Sequence, residues 1–333
     1  MIINRYTKQL FVKFARKVSG NPVKLPAGEL NQINYLWEIV QNGEPEAEED
    51  YADWIKINSI LILSIWFTDL PIPDEKEILP LENIIKNFEL GYEVEDYLVG
   101  GTTVDGFYQQ LIRVYIDNPN YTKEQIENLL AKYQNYLVDE ELAVADERLA
   151  WDVRGGRMDG IEDRCRRLLA IAPGERSDCY ACIINRLVED AIIIDQKELA
   201  LEFTKVIKSE KLACDGVPLK TEVQELYLSD SPTSKQINYL NKKVKANAEY
   251  LFSASLLLNV AKRLSASKSG AKIMKKYDDF AFESHKVDNF YYLVQAFNLT
   301  GDQKYLDHAT EIARLHDKRN GNDYYQNYLE QAR

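Results

Sequence analysis

From about residue 121 onward, the apolar residues of this chain recur at three- and four-residue spacing in paired runs separated by short polar breaks. Such runs need helices that stack, because one hairpin of this size cannot bury its own apolar face. Gly156 to Pro173 opens on a glycine turn, sets Ile161, Cys165, Leu168 and Leu169 on one side of a helix, and closes on proline. The preceding Glu140–Val153 segment, with Leu142, Ala145, Leu149 and Ala150, supplies its partner. A second unit begins at the capping pair Ser177-Asp178, runs through Tyr180, Ile183, Ile184, Leu187 and Ala191, and breaks at Ile194-Asp195-Gln196. It resumes with Leu199, Ala200, Phe203 and Ile207. A third hairpin is expected over Ala248 to Phe282 with its break at Lys268-Ser269-Gly270. A fourth spans Asn289–Leu315 with its break at Leu299-Thr300-Gly301-Asp302, and Tyr324, Tyr328 and Leu329 mark a short capping helix.

The paired helices, with small residues such as Ala191, Ala200, Ala296 and Ala309 where one helix backs onto another, resemble tetratricopeptide repeats over roughly residues 138–318. That resemblance implies an all-α fold, a right-handed superhelical array of antiparallel helix pairs. Asp195 stands where the family has a turn glycine, and Lys208–Ser234 reads as a linker too long for strict tandem spacing. Residues 1–120 show helices without a period. They include one around Gln32–Gln41, one around Tyr51–Phe67 ended by Pro71-Ile72-Pro73, and one near Val104–Ile116 after Gly100-Gly101. Two regions are therefore expected: 1–120, irregular and helical, and 121–333, the repeat region. Thr122 followed by Gln125 predicts a capping box.

Fifteen glycines and ten prolines in 333 residues leave too few turns for an all-β fold. A net charge of −12 argues against duplex nucleic acid, which selects basic faces, and favours a basic partner. The most apolar stretch, Ile60–Phe67, is far shorter than the ~20 residues of a membrane span. The first 24 residues carry no acid. Leu10, Phe11, Phe14 and Val18 oppose Arg5, Lys8, Lys13, Arg16 and Lys17, and a helix docking on the protein is preferred over a membrane-surface helix. With no secretory leader in view and four scattered cysteines, a cytoplasmic location is expected.

Three constellations carry possible chemistry. Cys179-Tyr180-Ala181-Cys182 could be redox-active or join Cys165 and Cys214 around zinc, but Cys165 and Cys182 fall at or near apolar repeat positions, so packing is expected. Of the three histidines, His285, His308 and His316, the last two lie eight apart without an HExxH pattern and are expected to be solvent-facing helix residues, so no metal is assigned. Acid pairs such as Glu140-Glu141, Glu162-Asp163 and Asp278-Asp279 are numerous enough to be a solvated face. No nucleotide-binding or nucleophile-elbow motif is present, and no cofactor is expected.

The 21 tyrosines are the strongest excess, and a concave tyrosine-lined groove is one reading of them. The expectation is a non-enzymatic protein- or peptide-binding protein, either an immunity protein neutralising a toxin or a receptor sensing a peptide. The competing class is an all-helical enzyme using paired carboxylates on a carbohydrate. By the resemblance, the first helix of each hairpin lines the concave side. That places Asn185, Glu189, Asp190, Gln295 and Asn298 as outward-facing partner-binding residues.

Overall fold

The structure is a computed structural model. It describes residues 5–15, 25–45, 50–67, 74–98, 103–137, 141–170, 180–211 and 216–332. These residues form seventeen α-helices and no strand. The chain divides into two compact units, Met1–Val114 and Tyr115–Arg333. Pro71–Pro73, Gly100-Gly101, Ser177-Asp178, Cys179 and Cys214 lie outside the described residues, as do Arg16, Lys17 and Val18.

The first unit holds α1 (Arg5–Ala15), α2 (Ala27–Gln41), α3 (Tyr51–Phe67), α4 (Asp74–Glu89) and the start of α5 (Val104–Asp117). Its centre is α3, in which Trp54, Ile57, Ile60, Leu61 and Leu63 are all buried, as expected of a helix apolar on every side. The polar residues of α3 are satisfied locally. Asn58 donates to the Trp54 carbonyl at 2.8 Å and Ser64 to that of Leu61 at 2.7 Å, while Asn83 of α4 donates to the Asn58 side-chain oxygen at 3.0 Å. Basic α1 buries Leu10 and Phe14 against α2 and α3 and pairs Lys13 with Glu29. Leu10 and Phe14 are thus spent on protein. No described helix is long and apolar enough to cross a membrane.

The second unit continues with α6 (Lys123–Tyr136), α7 (Glu141–Arg154), α8 (Ile161–Leu169), α9 (Tyr180–Ile193), α10 (Lys197–Ser209) and α11 (Val217–Leu228). Then follow α12 (Ser234–Lys243), α13 (Leu251–Arg263), α14 (Ser267–Glu283), α15 (Val287–Thr300), α16 (Gln303–Asn320) and α17 (Tyr324–Ala332). The Thr122–Gln125 capping box starts α6. Each odd-numbered helix from α7 to α15 packs on the helix that follows it and on the next odd-numbered helix, making a row of hairpins. Two- and three-residue connections such as Gly301-Asp302 and Ile194–Gln196 force the chain back on itself.

Two expectations are corrected. Lys208–Ser234 is not a linker but contains α11, which opens on left-handed Gly216 with proline in its first turn and buries Val217, Val223 and Leu226. Gly and Pro there begin a helix rather than break one. The turn in the third hairpin is Leu264-Ser265-Ala266, with Ser265 at φ 49°, and Ser269 and Gly270 lie inside α14. Gly270 serves close packing, since a Cβ there would meet a Leu299 methyl at 2.1 Å.

Candidate functional site

Within the second unit a cavity of about 830 Å³ opens among α8, α9, α11, α13, α15 and α17. Helical spacing explains its lining. Phe252, Ser255 and Asn259 occupy one face of α13, Tyr291, Gln295 and Asn298 one face of α15, and Tyr324, Tyr328 and Gln331 one face of α17. Tyr227 enters from α11, and Ile192 to Gln196 form the rim at the end of α9. Tyr291 meets Phe252 edge-on at 5.8 Å and Tyr328 at 5.6 Å between ring centroids. Tyr324 reaches the wall because Gly156, at φ +72°, has no Cβ; one would lie 2.4 Å from the Tyr324 Cβ.

Polar groups are spaced along this aromatic wall. Asn259 donates to the Gln295 side-chain oxygen at 3.2 Å, and Gln295 also hydrogen-bonds Tyr328. Burial pushes the Tyr227 and Tyr328 phenols above their ordinary range, and the Asp195 carboxylate adds to the effect on both. Both phenols stay protonated donors at neutral pH. Glu162, Asp163 and Asp195 line the cavity against one cation, Lys262, so its charge follows that of the chain. Asp195 is exposed and adopts φ 57°, the left-handed turn conformation usually given to glycine.

Gln295 and Asn298 therefore lie together on the cavity wall. The α9 residues do not join them, because the outward placement fails there. Asn185 and Asp190 are each only 4% exposed, and Glu189 is half-buried. Asn185 donates to Glu189 at 3.1 Å and accepts from Gln224 at 3.2 Å. Desolvation by burial raises the Asp190 carboxyl to about 7, although Arg154 pulls it down. Desolvation likewise raises Glu189, with Lys220 the main opposing charge. The physical reason is that α9 sits between α7, α10 and α11, so polar positions flanking its apolar stripe face neighbouring helices.

These residues belong to an internal ion network. Arg154 bridges Asp117 at 3.2 Å and Asp288 at 2.9 Å, and Arg186 pairs with Asp146. Asp117 and Asp288 share one guanidinium and are not a free acid–base pair. Asp278 accepts from the hydroxyls of Tyr292 at 2.8 Å and Tyr305 at 2.7 Å, which anchors two core tyrosines. Burial drives the Cys165 thiol up to about 12, removing it as a thiolate, and Cys182 is half-buried.

The histidines also differ from expectation. His316 is fully buried, and its Nε2 donates to the His285 carbonyl at 2.8 Å, because a carbonyl can only accept. His285 and His308 are half-buried and lie with Glu311. Sequence spacing pointed to none of this, since 23 residues separate the first two histidines (308 − 285). Tyr227, Asn259 and Asp195 likewise reach the cavity from three different helix ends or faces, and only the tyrosine excess hinted at it. In comparison with known proteins, the chain matches no family model, no curated protein and no solved structure.

Proposed function

We propose that this chain is a non-enzymatic binding protein whose helical hairpins, of a tetratricopeptide-like kind, hold an extended basic peptide segment in the tyrosine-lined cavity. The observation that carries this reading is the set of amides on one face each of α13, α15 and α17 (Asn259, Gln295, Asn298, Gln331) interspersed with the phenols of Tyr227, Tyr291, Tyr324 and Tyr328, around a cavity of about 830 Å³ with three carboxylates and one lysine. Amide side chains match peptide N–H and C=O groups, and rigid phenols give large contact area at little cost in side-chain entropy. The size falls within the range of ligand pockets. The acid excess would steer a cationic segment and speed its association at low salt. Neutralising a basic toxin segment and sensing a signalling peptide are the two uses that fit such a surface.

A displayed random-peptide library tests this. Wild-type protein is expected to enrich peptides rich in Lys and Arg, and an Asn259→Ala/Gln295→Ala variant to lose them. Enrichment that is neutral in charge, or equal for the variant, would contradict it.

The competing reading, a carbohydrate-cleaving enzyme with paired carboxylates, is favoured by one observation: Glu189 and Asp190 are adjacent and both have raised pKa values. Against it, Asp190 is nearly inaccessible and neither residue lines the cavity. Glycosidase activity lost on Asp190→Asn would favour the enzyme.

A further inference from the structure

All three histidines of the chain meet in one place. His285 lies on the three-residue connection between α14 and α15, and His308 and Glu311 lie one turn apart on α16. The Glu311 carboxylate sits between the two imidazoles, 3.6 Å from His285 Nε2 and 3.9 Å from His308 Nδ1. Both distances are too long for hydrogen bonds. The three candidate ligand atoms all fall within 4.8 Å of one another.

We infer that His285, His308 and Glu311 bind a first-row divalent metal ion, with zinc the best match, through two imidazole nitrogens and one carboxylate. Zinc takes nitrogen and oxygen ligands at about 2.0–2.1 Å, which in a tetrahedron puts neighbouring ligand atoms about 3.4 Å apart. Closing on the ion therefore asks for a shift of roughly 1 Å. Glu311 and His285 can supply it, because their side chains are 52% and 39% exposed. His308, at 17%, is the fixed member.

The surroundings hold the fixed parts in place. The His285 backbone is pinned by the buried His316, whose ring donates to its carbonyl. On the other side of the connection, Asn289 donates to the carbonyls of Phe280 and Ala281, both at 3.0 Å, which ties the end of α14 to the start of α15. The His308 ring is held 5.3 Å from Phe282 and near the Ser284 carbonyl, yet its Nε2 is buried without a hydrogen bond of good geometry. Outer contacts of this kind orient metal-ligating rings. Three protein ligands leave a coordination position open toward solvent. None of the three lines the tyrosine cavity, so this site stands apart from the peptide-binding reading.

The test is a zinc titration of the metal-free full chain by isothermal calorimetry. It is repeated with Glu311→Gln and with a His285→Asn/His308→Asn double variant, each checked by circular dichroism. The expected result is one zinc per chain, weakened at least about tenfold by Glu311→Gln and lost in the double variant. Cobalt should give visible bands of nitrogen and oxygen ligation without a sulfur charge-transfer band. If the double variant does not fold, Glu311→Gln decides, because that half-exposed side chain supports nothing else in the core. Absence of zinc binding, unchanged affinity in the variants, or a cobalt–thiolate band would overturn the assignment.

Discussion

Arg319, in the last turn of α16, donates through Nη1 to the Ile116 carbonyl at 2.7 Å, across 203 residues of sequence. The same nitrogen reaches the carbonyls of Tyr115 at 3.3 Å and Asn118 at 3.2 Å. These carbonyls lie at or just past the C-terminal end of α5, where a helix leaves acceptors unpaired and favours a cation. Two further bonds run beside it: Tyr325 donates to the Arg154 carbonyl and Asn322 to that of Gly155, both at 2.6 Å. The end of α5 is thus hydrogen-bonded to α16, and the end of α7 to α17 and the turn before it, all within the second unit.

Removing this cap should be costly. Arg319→Ala is expected to destabilise the protein by about 2–3 kcal/mol, the scale of charge-assisted hydrogen bonds together with stranded buried acceptors. Arg319→Lys should restore only part, since a point charge lacks the fork and the stacking on Trp151. Urea denaturation would read both, and a loss below about 0.5 kcal/mol for Arg319→Ala would show that the contact contributes little.

Asp190 gives a pH prediction. Its folded pKa, about 7, lies above the ordinary value of 3.8, so between roughly pH 4 and 7 the folded chain holds a proton that the unfolded chain has lost. Its contribution to stability is fully present below the unfolded pKa and declines as pH rises through the folded one, at up to about 1.4 kcal/mol per unit. Asp190→Asn removes the term. The difference in unfolding free energy between variant and wild type should therefore grow in the variant's favour from pH 5 to 7. A pH-independent difference would mean the carboxyl is ionised throughout.

Much of the helix order could be read from apolar spacing, as in Tyr180–Ala191 and Asn289–Leu315, because burial on one face leaves a period in the sequence. Where a helix is buried on several faces the period fails. Asn185 and Asp190 read as outward-facing from their position between Ile184 and Ala191, yet both are covered by neighbouring helices. Glycine was ambiguous too: Gly270, read as part of a break, marks close packing, and the stretch 208–234, read as a linker, holds a helix that opens on Gly216. The cavity was hardly legible, because Tyr227, Asn259 and Tyr328 come from helices whose neighbours only the tertiary packing decides. Gln295 and Asn298, half-buried on one strongly periodic helix, do line the cavity.

Asp195 separates stability from binding. Asp195→Gly relieves the left-handed backbone and should stabilise the fold by about 1 kcal/mol while weakening capture of a basic peptide. Asp195→Asn keeps the turn and should lose mainly association rate, an effect that fades as salt rises. Stopped-flow association at two salt concentrations and thermal melts measure the two effects. Unchanged association at low salt would take Asp195 out of the binding surface.

Gly156 governs the placement of α17. Gly156→Ala sets a Cβ against Tyr324 in a turn at φ +72° and should cost about 2 kcal/mol or displace α17. Tyrosine fluorescence and denaturation would detect either. A variant as stable as wild type, with Tyr324 unmoved, would contradict the close packing.

Binding in the tyrosine-lined cavity is decided most directly by fluorescence anisotropy with a basic peptide selected on the wild-type protein, comparing Asn298→Arg with Glu198→Arg. Asn298 is half-buried on the cavity wall, whereas Glu198 is exposed on α10 outside it, and both changes make the chain more positive. Asn298→Arg should weaken binding at least about tenfold, because a cation enters the cavity itself, while Glu198→Arg should stay within about twofold. Equal losses for the two variants, or none for Asn298→Arg, would place the peptide elsewhere on the protein.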